Sequence, residues 1–216
     1  MKTKTTSSRR TVVVLILAVL IFGACKKDKK TTPPPIIPPP PANTEEVITT
    51  MKLYLTDSAT SVVSIVGFED ADGDGGNAGI FLGTNQSDSI FTLGGNKTYF
   101  MEIILLDVTK NPVDTISNEV EQEGKDHMFF FNSSNPTGTP FSTVLSGSNM
   151  KVTYTDLDAG TPTRGIGLKT RLRTYASTGS AKNLFTITLK HQPGVKDGTF
   201  APGDSDVEVG FKVMVN

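Results

Sequence analysis

Val207-Glu208-Val209-Gly210-Phe211-Lys212-Val213-Met214-Val215 is the stretch on which the fold turns. Every odd position is β-branched or aromatic, and the positions between carry Glu, Gly, Lys and Met. Side chains of a strand point alternately to opposite faces, so this spelling puts Val207, Val209, Phe211, Val213 and Val215 on one face. Wound into a helix, the same residues would scatter the valines around the axis and leave no apolar stripe.

Working outward from this stretch, the same period recurs. Phe185, Ile187, Leu189 and His191 share a face of a strand before it, and Ile166, Leu168 and Leu172 a face of another, with Lys169, Arg171 and Arg173 opposite. Met150, Val152 and Tyr154 form one set, and His127, Phe129 and Phe131 a second. Thr98 to Asp107 is apolar on both faces, which predicts a central strand. Ser89 to Leu93, Ile80 to Leu82 and Val62 to Phe68 are shorter strands. Val47, Thr49, Met51, Leu53 and Leu55 line the first. Asn132 to Pro140 reads as a loop, Asn111-Pro112 as a turn, and Thr115 to Glu123 as a strand end with one helical turn. Many short strands separated by turn residues predict a single antiparallel β-sandwich of the immunoglobulin-like kind. Strands buried between helices would read as continuous apolar runs instead.

The first 45 residues follow other rules. Lys2, Lys4, Arg9 and Arg10 precede an uncharged run from Val12 that ends in small residues at Cys25, the sole cysteine. The run is short for a membrane span, which takes about 20 residues, and has the length of a signal-peptide core. Phe22-Gly23-Ala24-Cys25 resembles a bacterial lipobox. That resemblance implies cleavage after Ala24, lipidation of Cys25 and a membrane anchor, two acyl chains being needed for a stable one. Lys26-Lys27-Asp28-Lys29-Lys30 suits anionic head groups. The proline run from Pro33 to Pro41 cannot join a helix or an inner strand and predicts an extended spacer. The organisation expected is therefore a signal peptide at 1–24, a lipidated and proline-rich tether at 25–45, and a sandwich domain at 46–216.

The whole chain is nearly neutral, with 21 Lys and Arg against 22 Asp and Glu. Eight of the basic residues and one Asp fall within the first thirty positions. The remainder holds 13 basic and 21 acidic residues and is near −8. Such a domain repels phosphate backbones, which excludes nucleic acid as the expected partner.

Three groups of residues are candidate sites. Asp70, Asp72, Asp74 and Asn77 alternate with Gly in the manner of a calcium loop. The EF-hand pattern fails, since its twelfth position falls on Phe81; a non-EF calcium turn and an acidic hairpin whose carboxylates cap their own turn both remain. Asp156 and Asp158 are a weaker instance. The only two histidines, His127 and His191, extend the apolar faces of two strands, and Glu119, Glu121 and Glu123 lie just upstream of His127. If those strands are neighbours, imidazoles and carboxylates meet in a set that suits zinc or copper. The ordinary alternative is a pair of unrelated core-rim histidines. Lys169, Arg171 and Arg173 make a basic stripe, a solvated face or a receptor for something anionic.

Catalytic patterns are missing. No Gly-x-Ser-x-Gly elbow occurs, the single thiol is taken by the anchor, and no glycine-rich phosphate loop precedes a helix. Carboxylate pairs of glycosidase type occur in any acidic β-protein.

Cys25-Lys-Lys-Asp28, Glu45 to Thr50, Asp70 to Asn77, Glu119 through His127 to Phe131, Tyr154 to Asp158 with Gly165 to Leu168, and Leu184 through His191 to Lys196 together resemble a group of small Bacteroidota lipoproteins. Such proteins are often labelled as a type 1 periplasmic binding fold, a large two-lobed α/β structure that is a poor match for a chain this short and strand-rich. The resemblance implies an outer-membrane lipoprotein of the cell envelope, on either the periplasmic or the surface side. The expected function is non-catalytic: a binding or interaction module with an envelope protein partner such as a transporter. The alternative is a metal-binding envelope protein, for zinc, copper or calcium, and a more distant one an enzyme acting on envelope glycans.

Overall fold

The computed structural model describes residues 46–73, 76–83, 90–132, 137–139, 142–145, 150–177, 179 and 182–216. These form two sheets. The larger runs in the order β3 (Ile80–Leu82), β2 (Val63–Glu69), β1 (Thr50–Asp57), β5 (Thr98–Leu106), β10 (Lys169–Thr174), β9 (Met150–Tyr154), β8 (Ser142–Leu145) and β7 (Thr137–Thr139). The smaller runs β4 (Ile90–Leu93), β12 (Asp204–Val215), β11 (Asn183–His191) and β6 (His127–Asn132).

Alternation explains the layering. Met51, Leu53 and Leu55 of β1, Met101, Ile103 and Leu105 of β5, and Leu172 of β10 are buried, while the residues between them are half-buried or exposed. Phe129 and Phe131 of β6, Phe185 of β11 and Phe211 of β12 fill the space from the other sheet and are fully buried. The two faces touch directly. The rings of Phe131 and Tyr154 lie 5.7 Å apart, and those of Phe81 and Phe211 5.6 Å in an edge contact. Each such side chain contributes about 1.5–3 kcal/mol by leaving water, which a chain whose one cysteine lies outside the domain obtains without any disulfide.

The all-β sandwich expected from the alternation is what forms, with several differences of detail. β4 pairs with β12 in parallel, Phe91 opposite Val213, so the smaller sheet is mixed rather than purely antiparallel. Twelve strands occur among the described residues, against the roughly seven to nine of immunoglobulin domains, and the architecture is that of an all-β sandwich. Val47 is exposed and precedes β1. Ile166 and Leu168 are buried but precede β10, whose ladder starts at Lys169. The expected loop from Asn132 contains β7.

The segment from Thr115 is a helix, α1 (Ile116–Gln122), not a strand end. Ile116 and Val120, four residues apart, are its buried stripe. Between them Ser117 is fastened to β5: Leu105 N–H donates to its Oγ at 2.5 Å. One short apolar stripe docked by one side-chain bond is enough for a two-turn helix that could not persist alone.

Candidate metal centre at the end of the sandwich

The helix ends at Glu123, whose amide bonds the Glu119 carbonyl. Gly124 follows because the chain passes tightly over the core: a Cβ there would lie 2.6 Å from Ile166 Cδ1. The turn closes when Asp126 N–H and His127 N–H both donate to the Glu123 carbonyl, at 2.8 and 3.2 Å. β6 then begins, and its register against β11 places His127 directly opposite His191. The two imidazoles stack, with centroids 4.6 Å apart and planes within 6°.

His127 is fully buried. Its Nδ1 lies 3.3 Å from the Glu123 carbonyl, within reach for a ring N–H to donate. Its Nε2 is buried and makes no hydrogen bond among the described residues. Burial, and then the neighbouring His191, push its pKa down to about 4. The ring is therefore neutral at pH 7, the form that ligates metals. Carboxylates flank both edges of the ring: Glu123 Oε2 is 3.9 Å from Nδ1 and Asp206 Oδ2 is 3.8 Å from Nε2. With a neutral imidazole these are proximities, not salt bridges.

One ligand atom from each of Glu123, His127 and His191 falls within 4.8 Å of the others. A tetrahedral ion with bonds of about 2.1 Å holds neighbouring ligand atoms about 3.4 Å apart, so closing this set takes a side-chain shift on the order of 1.4 Å together with rotation of the stacked imidazoles, whose in-plane lone pairs now run side by side. Glu46, just before β1, completes the surroundings. Its partial burial, its hydrogen bond with Glu119 and the charges of Glu119, Glu123 and Asp206 raise its pKa to about 7. Crowded carboxyls beside the neutral His127 imidazole favour a cation chemically.

Of the expected residues, His127, His191 and Glu123 come together, and Glu119 reaches the same end through Glu46. Glu121 does not: α1 turns it to the other side, where it accepts from Lys169 at 3.0 Å. Glu46 and Asp206 are additions. Asp206 would face outward by simple alternation with Val207. Leu189 pairs with Val207 and Lys190 with Ser205, so Asp206 is the extra residue of a β-bulge in β12, which re-aims it inward and leaves its side chain without exposure.

The other acidic groups are occupied. Asp72 Oδ2 accepts from Asn77 Nδ2 at 2.6 Å, a carboxylate capping its own turn, and Asp74 lies outside the described residues. Asp156 takes the amides of Gly167 and Lys169, both at 2.9 Å. Asp158 takes those of Gly160 and Arg164 and the Lys196 ammonium at 2.8 Å.

No family model, curated protein or solved structure matches this chain.

Proposed function

We propose that this chain is a lipid-anchored envelope protein whose sandwich is a non-catalytic binding module for a first-row transition-metal ion, zinc or copper, held by Glu123, His127 and His191. The observation that carries the reading is the direct cross-strand pairing of the only two histidines with a carboxylate at their edge. The neutral, buried imidazole of His127 supports it, since the ion need displace no proton there.

The anchor is the lipidated Cys25, and the tether holds the domain off the outer membrane. No helix among the described residues is long and apolar enough to cross a membrane. In this setting the module would hold metal for, or receive it from, an envelope partner such as a transporter.

The test is calorimetric titration of the chain from Lys26 onward with zinc, copper and calcium, beside a His127→Ala/His191→Ala variant. Stoichiometric zinc or copper binding that disappears in the variant is the expected result. Calcium binding that survives in the variant would move the site to Asp70–Asn77. No binding by any of the three would leave the stack as a core-rim packing device and the domain as an interaction module of another kind.

A further inference from the structure

The outward face of the larger sheet carries apolar and cationic side chains side by side. Val63 and Ile65 of β2 are 51% and 48% exposed, and Phe100 of β5 is 54% exposed. Register gathers them: Thr56 lies opposite both Val63 and Phe100, and Tyr54 opposite Ile65. Phe100 in turn lies opposite Arg171. Along β10 the same face presents Lys169, Arg171 and Arg173, all exposed. A groove of about 340 Å³, lined in part by Tyr54, Phe100 and Lys169, marks the junction.

The cations on this face are neutralised, among the described residues, only at Lys169, which stands opposite Glu102 across the β5–β10 ladder. Lys169 is paired with Glu121 at 3.0 Å. Among the described residues Arg171, Arg173 and Lys151 have no ion pair. Arg173 and Lys151 stand directly opposite each other across the β9–β10 ladder, an arrangement of like charges that costs stability. The Arg173 guanidinium rests over the Tyr175 ring, 5.4 Å from its centroid. A cationic row retained against repulsion, in a domain near −8, calls for an anionic counterpart.

We infer that this sheet face docks on an anionic phospholipid surface, with Arg171, Arg173 and Lys151 at the phosphates and Phe100, Val63 and Ile65 among the head groups and upper acyl chains. A bilayer interface offers negative charge and apolar depth in one plane, which matches both halves of the patch. An acidic protein would match the charges and leave the aliphatic half unexplained. The surface is distinct from the histidine cluster and does not depend on it.

The experiment is vesicle sedimentation of the unacylated chain from Lys26 onward, with Lys26, Lys27, Lys29 and Lys30 replaced by Gln so that the basic tether contributes nothing. Vesicles are phosphatidylethanolamine with phosphatidylglycerol, and phosphatidylcholine alone. The expected result is binding to the anionic vesicles that weakens with salt and is much poorer on the neutral ones. Arg171→Gln/Arg173→Gln should lower partitioning by about fivefold for each charge removed, and Phe100→Ser should lower it further. Arg171→Lys/Arg173→Lys should retain it. His127→Phe/His191→Phe should leave it unchanged, which separates this face from the metal site. Unchanged circular dichroism and unfolding midpoints, expected for exposed positions, confirm that the variants are folded. Absence of sedimentation, or equal sedimentation of the charge-neutralised variant, overturns the inference. Arginine-dependent retention on immobilised polyglutamate without vesicle binding also overturns it and assigns the face to an acidic protein.

Discussion

Two buried polar clusters sit near one another in this domain and have been treated oppositely by the fold. Around Asp158 and Lys196 every demand is met. Both side chains are nearly inaccessible, the carboxylate takes two amides and the ammonium, and Lys196 donates a second bond to the Gly124 carbonyl at 2.7 Å. Around His127 and His191 one demand is left open: an imidazole nitrogen of His127 is buried without a hydrogen bond among the described residues. A satisfied buried network explains itself as structure. An unsatisfied one costs stability and so points toward a ligand. The same chemical class of residue therefore reads as a brace at one place and as a site at the other.

The comparison breaks most visibly at the brace. Lys196→Met leaves the Asp158 carboxylate buried and unpaired, with an expected loss of about 3–5 kcal/mol in urea unfolding. A loss below about 1 kcal/mol would mean that the ammonium is no brace.

Acid should separate the two clusters by pH. His127 is held neutral with a folded pKa near 4, against an ordinary value of 6.5. The folded state therefore binds fewer protons than the unfolded chain, and stability falls as pH drops from 6.5 toward 4, by about 3 kcal/mol in the metal-free protein. Burial opposes the charge on Asp158, but Lys196 and the Arg164 and Gly160 amides hold its carboxyl below the usual range. Its contribution is complete above about pH 4 and is lost only as pH falls further. His127→Phe should flatten the first loss and spare the second, while staying within about 1 kcal/mol of the parent at pH 7, since the one ring bond lost is offset by the orphan nitrogen removed.

Metal sharpens the contrast further. Zinc at about a hundred times its dissociation constant should stabilise the parent by about 2.7 kcal/mol, measured as a raised unfolding midpoint. The gain should vanish in His127→Phe/His191→Phe and persist in Lys196→Met. The smallest effect is expected at Glu121. Its ion pair with Lys169 is half-exposed on both sides, so Glu121→Gln should change stability by less than about 0.5 kcal/mol and leave zinc binding unchanged. Glu123→Gln should weaken zinc binding about tenfold or more. Equal behaviour of the two glutamates would remove Glu123 from the site.

The glutamates also mark how far one dimension reaches. Glu119, Glu121 and Glu123 are indistinguishable as a row of acids before a histidine. On α1 they diverge, because a turn of about 3.6 residues sends positions two apart to different sides. Ile116 and Val120 hold the helix to the core, and that choice alone points Glu121 at Lys169 and leaves Glu123 at the imidazoles. Asp206 was hidden for another reason: alternation assigns it outward, and the bulge that reverses it involves two strands at once. The parallel β4–β12 pair was equally invisible, since a four-residue apolar run carries no direction for its partner.

What the sequence determined by itself is the material of the fold and its two-faced strands. Alternation from Met51 to Val215 is a local property, and one residue's displacement would turn a whole strand inside out, so the pattern constrains itself. It also carries the anchor-like start, whose charge, apolar run and lone cysteine are read residue by residue. Only the tertiary structure decided which strand ends meet. His127 and His191 are 64 positions apart, and nothing in either neighbourhood encodes the other. Their stacking follows from β6 pairing with β11 in one register, a long-range outcome set by the packing of Phe129, Phe131 and Phe185 in a shared core.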